Sequence, residues 1–196
     1  MRVNGRVVRD FETPVDLERD VLEVDGGAVV ESPKVYLALN KPRGLVTTAS
    51  DERGRKTVVD CFAGADLPFI APVGRLDQAS EGLLLFTNDT AWAARLTAPE
   101  SHVDKTYHVQ IDVVADEALC ARLPAKRVAI LRTGAKNSWL EIVLDEGKNR
   151  QIRRMLEAEK IGVLRLIRVA IGTLALGALP KGAWRILTPA EIQTLS

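Results

Sequence analysis

The residues best suited to chemistry lie in a polar loop between two apolar runs that are typical of strands. The loop extends from Gly74 to Gly82, after the run Ala71 to Val73 and before the run Leu83 to Thr87. Loops on a rigid scaffold often carry reactive side chains, and this one contains Asp77. A loop aspartate also commonly accepts hydrogen bonds from its own turn. The spacing alone therefore leaves Asp77 open between a reactive and a structural role.

A second carboxylate, Glu81, lies four residues after Asp77 in the segment Ala79-Ser80-Glu81-Gly82. Two nearby carboxylates are the acid and base of most glycosidases. A loop does not fix their separation, however, and the aromatic residues that stack on sugars amount to only 5% of the chain. A glycosidase is therefore a hypothesis with little support.

Three arginines form the other reactive group, in a predicted helix from Asn149 to Glu159 with its cap near Asn149. At 3.6 residues per turn the arginines and Glu157 share one face, beside a buried apolar stripe. Cations near a helix start oppose the helix dipole, so their placement indicates an anionic partner. Pairing with Glu157 and nearby acids is the alternative. The arginines are Arg150, Arg153 and Arg154.

Charge is distributed unevenly, although the net charge of the 196 residues is only +1. The stretch from Asp10 to Glu31 has eight acidic residues against Arg19 alone, whereas Gly147 to Arg168 has seven basic residues against two acidic ones. Lys41 to Lys56 is a second cationic stretch. Two converging basic stretches would suit a phosphate backbone, and a solvated surface of mixed charge is the alternative.

Several protein classes are excluded by composition. With 46% hydrophobic residues, the chain fits one compact domain with a small appendage. No window approaches the roughly 18 apolar residues of a membrane span, and the start lacks the apolar core of a signal peptide, which predicts a cytoplasmic protein. Nucleotide-binding glycine motifs are absent. The two cysteines and two histidines lack zinc-site spacing, so we expect no metal and no cofactor.

The elements that must position these side chains are many strands and few helices. This mixture predicts an α+β fold with a largely antiparallel mixed sheet flanked by short helices. Strands are predicted at Arg6–Arg9, Val21–Val24, Ala28–Val30, Tyr36–Leu39, Leu45–Thr48, Ala71–Val73, Leu83–Thr87, Lys105–Asp112, Val128–Arg132, Ser138–Leu144 and Val163–Ala170. Helices are predicted at Thr90–Thr97, Asp116–Leu123 and Asn149–Glu159.

Four ordered segments carry a resemblance to a known family. They are Asn40-Lys41-Pro42-Arg43-Gly44, Gly74-Arg75-Leu76-Asp77 continuing to Asn88-Asp89, Lys105-Thr106-Tyr107, and Glu146-Gly147-Lys148-Asn149-Arg150-Gln151-Ile152-Arg153-Arg154-Met155. In this order they resemble the RsuA-type ribosomal RNA pseudouridine synthases, from Val35 to the C-terminus. The resemblance implies a pseudouridine synthase catalytic domain over residues 34–196. Residues 1–33 resemble the second half of a small RNA-binding domain.

The family resemblance implies that one uridine of bacterial ribosomal RNA, with the large subunit favoured, is isomerised to pseudouridine without a cofactor. It implies catalysis by Asp77, with Arg153 as its charge partner and Tyr107 against the displaced uracil. Arg75 would lie beside the displaced nucleotide. The implied phosphate contacts are Lys41, Arg43, Lys105, Arg150 and Arg154.

The expected partner is ribosomal RNA or an assembly intermediate of a ribosomal subunit, bound by a monomer in the cytoplasm without any membrane. The alternative function is a non-catalytic RNA-binding protein of ribosome assembly that uses the basic helix. That alternative predicts that Asp77→Asn is tolerated.

Overall fold

A computed structural model of the chain describes residues 1–10, 12–16, 19–29, 32–48, 51 and 54–195. The chain divides into two compact units, Met1–Pro33 and Lys34–Ser196. Among the described residues, no helix has both the length and the apolar character that crossing a membrane requires.

The described residues of the first unit form a four-stranded antiparallel sheet in the order β2-β1-β3-β4. Its strands are shorter than the predicted runs, and the first of them was not predicted. Val30, the end of the third predicted run, lies outside the described residues. The strands are β1 (Arg2–Val3), β2 (Arg6–Val7), β3 (Leu22–Val24) and β4 (Gly27–Ala28).

In the second unit, nine strands of the described chain form one sheet. The main path runs β13-β5-β7-β11-β8-β10-β9, with β6 paired to β7 and β12 paired to β11. Among these strands, β7 and β11 pair in parallel and the other pairs are antiparallel, as predicted. The strands are β5 (Tyr36–Lys41), β6 (Ala71–Val73), β7 (Glu81–Thr87), β8 (Lys105–Ile111), β9 (Arg127–Thr133), β10 (Ser138–Leu144), β11 (Val163–Ile171), β12 (Leu174–Ala175) and β13 (Trp184–Ile186).

Short helices flank this sheet, and the three predicted ones are confirmed to within two residues at each end. They are α1 (Thr90–Thr97), α2 (Glu117–Arg122) and α3 (Gln151–Ala158). A fourth helix, α4 (Pro189–Thr194), was not predicted, nor were the 3-10 helices Val58–Phe62 and Pro99–Ser101. The α+β prediction is therefore confirmed.

The core lies on both faces of β5 and β7, whose side chains alternate between two apolar layers. Leu37 of β5 and Phe86 of β7 pack against the 3-10 helix Val58–Phe62, while Leu83 faces α1 and its buried Trp92. Strands buried on both faces read as continuous apolar runs, which is why their sequence signal is strong.

A third apolar layer positions helix α3 on the sheet. Ile152 and Leu156 of α3 pack with Leu119 of α2 against Val109 of β8 and Ile142 of β10. The predicted apolar stripe of α3 is buried. Its arginine-bearing face therefore lies near the residues just before the start of β7.

Candidate active site

A cavity of about 580 Å³ opens in the second unit beside α3. It is lined by the loop before β7, the start of β8, the segment from Leu144 to Arg153, and β11. The lining includes Asp77, Tyr107 and Arg153, the three residues for which catalysis was predicted. The cavity therefore brings together side chains that lie 76 positions apart between the first and the last.

The loop that carries Asp77 is held by the segment just after β5. Gly44 N–H donates to the carbonyl of Gln78 at 2.7 Å, and the Gln78 amide donates back to the Gly44 carbonyl at 3.0 Å. Thr47 Oγ1 donates to the Leu76 carbonyl at 2.6 Å. In the described stretch 32–48 the predicted strand Leu45–Thr48 is therefore wrong: Val46 forms an isolated bridge to Thr57, and neighbouring polar groups support the loop.

Lys41 does not contact phosphate as predicted, because its side chain is fully buried. Its Nζ donates to the carbonyl of Pro42 at 3.1 Å, of Asp77 at 3.2 Å and of Ser80 at 2.9 Å. An ammonium has three donors, and these three carbonyls use them all. Burial lowers the pKa of Lys41 to about 8, although Glu81 and Asp77 oppose that shift. The predicted phosphate contact of Lys41 is therefore wrong: Lys41 holds the loop of Asp77 by hydrogen bonds to its backbone.

Two arginines of the α3 segment reach the Asp77 carboxylate. Arg150 Nη1 lies 3.4 Å from Asp77 Oδ2, and Arg153 Nε lies 3.9 Å from the same oxygen. The Arg153 side chain is 15% exposed, whereas that of Arg150 is 51% exposed. Arg153 also donates through Nη2 to the Ala79 carbonyl at 3.2 Å. The predicted pairing of Asp77 with Arg153 is within ion-pair reach, and Arg150, for which a phosphate contact was predicted, is the closer partner.

The start of α3 has an uncommon backbone. Its N-cap is Arg150, not Asn149, and Arg150 lies in the left-handed region with a φ of 49°. No described side chain caps this end; instead Gln151 N–H closes a turn onto the Lys148 carbonyl at 3.2 Å. Strained backbone of this kind persists where the surroundings impose it, often at functional sites. Here it turns the guanidinium of Arg150 toward Asp77.

Tyr107 and Lys105 project into the cavity from the same face of β8. Tyr107 is half-buried and packs with the apolar residues of two core layers. Burial lowers the pKa of Lys105, and the neighbouring Arg168 guanidinium lowers it further, against the attraction of Asp104 and Asp145. The cavity that Asp77 lines therefore also offers one aromatic ring and a partly desolvated cation.

The remaining predicted RNA contacts differ in position. Arg75 is exposed and lines the cavity. Arg43 is exposed and donates to the Leu164 carbonyl at 3.5 Å. Burial lowers the pKa of the Arg153 guanidinium, and the nearby Arg150 and Arg43 lower it further, against the attraction of Asp77. Arg154 is exposed on α3 and does not line the cavity. All three remain accessible to an RNA backbone.

Glu81 is buried and does not line the cavity. It accepts hydrogen bonds from Arg165 and Lys181. Burial alone would raise the pKa of Glu81, but these two cations lower it below its ordinary value. A carboxylate held ionised by two cations away from the cavity cannot serve as the second carboxylate of a glycosidase.

Arg168 also lines the cavity, and no role was predicted for it from the sequence. It lies on β11, opposite Tyr107 of β8 in the strand register. A signal was present, since an arginine inside an apolar strand pattern must find a buried partner or a ligand.

Among the described residues there is no group of three or more His, Cys, Asp and Glu side chains placed to hold a metal ion.

Comparison with known proteins gives the family of this chain. The RNA pseudouridylate synthase family matches residues 35–158. A ribosomal large subunit pseudouridine synthase B of Bacillus subtilis (strain 168) is 36% identical, over 100% of this chain and 84% of that protein. An uncharacterized RNA pseudouridine synthase of Aquifex aeolicus (strain VF5) is 37% identical, over 100% of this chain and 83% of the relative. A crystal structure of a pseudouridylate synthase is similar with a TM-score of 0.75 and 28% identity, covering 100% of this chain and 88% of that one.

The family match covers more than half of the chain, and the relatives are similar over its whole length. The resemblance expected from the four ordered segments is therefore confirmed, together with the pseudouridine synthase fold. The chain belongs to the RNA pseudouridylate synthase family and isomerises uridine in RNA to pseudouridine.

Proposed function

We propose that the substrate is one uridine of bacterial large-subunit ribosomal RNA and that Asp77 is the catalytic carboxylate. The observation that carries the proposal is the Asp77 carboxylate in the cavity, 3.4 Å and 3.9 Å from the guanidinium groups of Arg150 and Arg153. The name of the Bacillus subtilis relative, a ribosomal large subunit pseudouridine synthase B, supports the large subunit.

The reaction breaks the bond between N1 of uracil and C1′ of the ribose and forms a bond from C5 to C1′. N1 gains a proton and C5 loses one, so no atom is gained or lost overall. Asp77 must be ionised, whether it attacks the sugar or removes its 2′ proton. Adjacent guanidinium groups favour the ionised carboxylate and fix its orientation. Arg153, the more buried of the two, is the charge partner in this proposal.

The uridine must leave its stack to reach Asp77, which costs a few kcal/mol. Tyr107 would stack on the displaced uracil, because it is the aromatic ring that lines the cavity beside Asp77. Arg75 would fill or contact the space that the nucleotide leaves. Arg43, Lys105, Arg150 and Arg154 would neutralise phosphates, with Arg150 shared between the RNA backbone and Asp77.

The proposed partner is ribosomal RNA, either free or in an assembly intermediate, bound by a monomer in the bacterial cytoplasm. We propose that Met1–Pro33 corresponds to the second half of a small RNA-binding domain. Its four strands and its turns at Asn4-Gly5 and Asp25-Gly26 support this assignment. The eight acidic residues between Asp10 and Glu31 argue against strong RNA binding by this unit.

Mapping of pseudouridine across ribosomal RNA tests the proposal. Cells without the gene should lose one site in large-subunit RNA, and wild-type protein should restore it. Asp77→Asn keeps nearly the same shape without the charge, so it should bind RNA but restore nothing. Asp66→Asn, at an exposed position away from the cavity, is the matched control and should restore the site. Unchanged maps would refute the substrate, and restoration by Asp77→Asn would refute the role of Asp77.

A further inference from the structure

Arg168 has a buried donor with no partner. Its side chain is only 6% exposed, and its Nε donates to the Leu83 carbonyl at 2.7 Å. Its Nη2 is buried without a hydrogen-bond partner among the described residues. Three buried side-chain nitrogens of the described chain share this condition, and two of them, Arg168 Nη2 and Arg153 Nε, belong to cavity-lining residues. The unsatisfied donors are therefore concentrated at the site.

The position of Arg168 is fixed by its two neighbouring strands. It lies opposite Gly82 of β7 and opposite Tyr107 of β8. Gly82 has a φ of 101°, and a Cβ there would lie 2.3 Å from the Arg168 carbonyl oxygen and 2.8 Å from its nitrogen. The absence of a side chain at Gly82 thus lets the backbone of β7 approach Arg168 closely. The result is an arginine anchored beside both Tyr107 and the loop of Asp77.

The surroundings of Arg168 leave room for a hydrogen-bond acceptor from outside the protein. Lys105 is near enough to repel it, and no described carboxylate hydrogen-bonds to either side chain. A buried N–H without an acceptor costs free energy comparable to a lost hydrogen bond. A ligand that supplies an oxygen would remove this cost when it enters the cavity.

Resting on the proposed function, we propose that Arg168 recognises the base: its Nη2 donates to a carbonyl oxygen of the target uracil. The exposed cations of the cavity, Arg75, Lys148 and Arg150, are the ones that a solvated phosphate backbone can reach. The base is the part of the nucleotide that enters a cavity, and the stacking partner proposed for it is opposite Arg168. A donor aimed at O4 would also disfavour cytosine, which has an amino group at that position.

The test compares single-turnover rates of wild-type enzyme and Arg168→Met on RNA with uridine, 2-thiouridine or 4-thiouridine at the target. With uridine, Arg168→Met should be about 10- to 100-fold slower at saturating RNA, since one charge-assisted hydrogen bond is lost. Its Kd for RNA and the salt dependence of that Kd should change little. Arg165→Met, on the same strand but paired with Glu81, is the matched control and should stay within about threefold of wild type.

The sulfur substitutions identify the contacted atom. Sulfur accepts hydrogen bonds more weakly than oxygen, so one thio-substrate should slow wild-type enzyme but leave Arg168→Met no slower than with uridine. Arg168→Lys keeps the charge but replaces the planar fork, with Nε and Nη2 on separate nitrogens, by donors on a single nitrogen. It should therefore show the same loss as Arg168→Met, and it provides the test if the methionine variant folds poorly.

Three outcomes would overturn the inference. Equal thio effects in wild-type enzyme and in both Arg168 variants would mean that the arginine does not touch the base. A loss of RNA affinity with a salt slope flatter by about 0.7 to 0.9 would assign it to a phosphate instead. If wild-type enzyme forms no product on any RNA that has uridine at the target, the proposed function is refuted, and the inference with it.

Discussion

At the scale of single residues, the two arginines that face Asp77 differ in burial, and this difference separates their roles. Arg153 is largely enclosed and holds the Ala79 carbonyl as well as the carboxylate, whereas half of the Arg150 side chain remains in solvent. Water screens an exposed ion pair, so Arg150 contributes less to holding Asp77 and remains available to RNA.

We therefore expect three alanine variants of the α3 segment to behave differently. Arg153→Ala should reduce turnover at saturating RNA by about 100-fold or more, with nearly normal affinity. Arg154→Ala should weaken affinity and flatten its salt slope, with full turnover at saturation. Arg150→Ala should show both effects, each smaller. Single-turnover kinetics and binding at several salt concentrations would measure this; identical behaviour of all three would contradict the division of roles between these arginines.

The buried Lys41 predicts an unusual dependence of stability on pH. Its pKa is lowered to about 8 in the folded chain, whereas a lysine in the unfolded chain titrates near 10.4. Between these values the unfolded chain binds more protons, so the contribution of Lys41 to the free energy of unfolding rises with pH. Urea unfolding at pH 7.5, 8.5 and 9.5 should show that the free energy of unfolding of wild type rises with pH relative to that of Lys41→Met. Parallel curves would contradict this, and Lys136→Met at an exposed turn is the control.

Which residues line the cavity around Asp77 was partly predictable from the sequence, whereas the residues that support them were not. Asp77, Tyr107 and Arg153 lie in family motifs, and the structure lines one cavity with all three. Lys41 lies in such a motif too, but a lysine in a Lys-Pro-Arg-Gly turn gives no sequence signal that three distant carbonyls will enclose it. Arg168 was missed because its role depends on a strand register that the sequence does not reveal.

At the scale of elements, helices with a capping residue were the most accurately predicted. Asp89 caps α1 by accepting from Trp92 N–H at 3.0 Å, and α1 begins and ends as predicted. The start of α3 was predicted less well, because a left-handed arginine replaces the usual cap. The run Leu45–Thr48 was wrong as a strand because an apolar pattern does not distinguish pairing with a strand from pairing with a loop.

Asp89 gives a testable prediction for α1. The Trp92 N–H, the Tyr36 hydroxyl and Lys34 hold its pKa down at about 2, whereas an unfolded aspartate titrates near 3.9. The stability that this carboxylate contributes is present above pH 4 and is lost as pH falls toward 2. Asp89→Ala should cost about 1–2 kcal/mol at pH 7, and the gap to wild type should shrink at pH 2.5. Thermal unfolding would measure it; a constant gap would contradict it, with the exposed Asp66→Ala as control.

At the scale of the whole molecule, a near-neutral chain has a locally cationic site. Six cations line the cavity against three carboxylates, and one of these carboxylates, Glu146, pairs with Lys148. RNA binding should therefore depend on salt despite the net charge of +1. We expect the logarithm of affinity to fall with the logarithm of salt at a slope between about −2 and −4.5, for three to five phosphate contacts. A slope near zero would refute a phosphate-binding cavity, and Lys136→Ala should leave the slope unchanged.

The glycine at the start of β7 has a consequence for how targets are chosen. Gly82 pairs with Lys41 of β5 on one side and with Arg168 of β11 on the other. Two neighbouring strands therefore fix the residues on either side of the Asp77 loop. We therefore expect the geometry around Asp77 to be set before RNA binds, so that the RNA changes conformation more than the protein does. Among many uridines, the enzyme would prefer the one that leaves its loop with the smallest free-energy cost of unstacking. The deformability of the RNA would then determine which uridine is modified as much as the nucleotide sequence does.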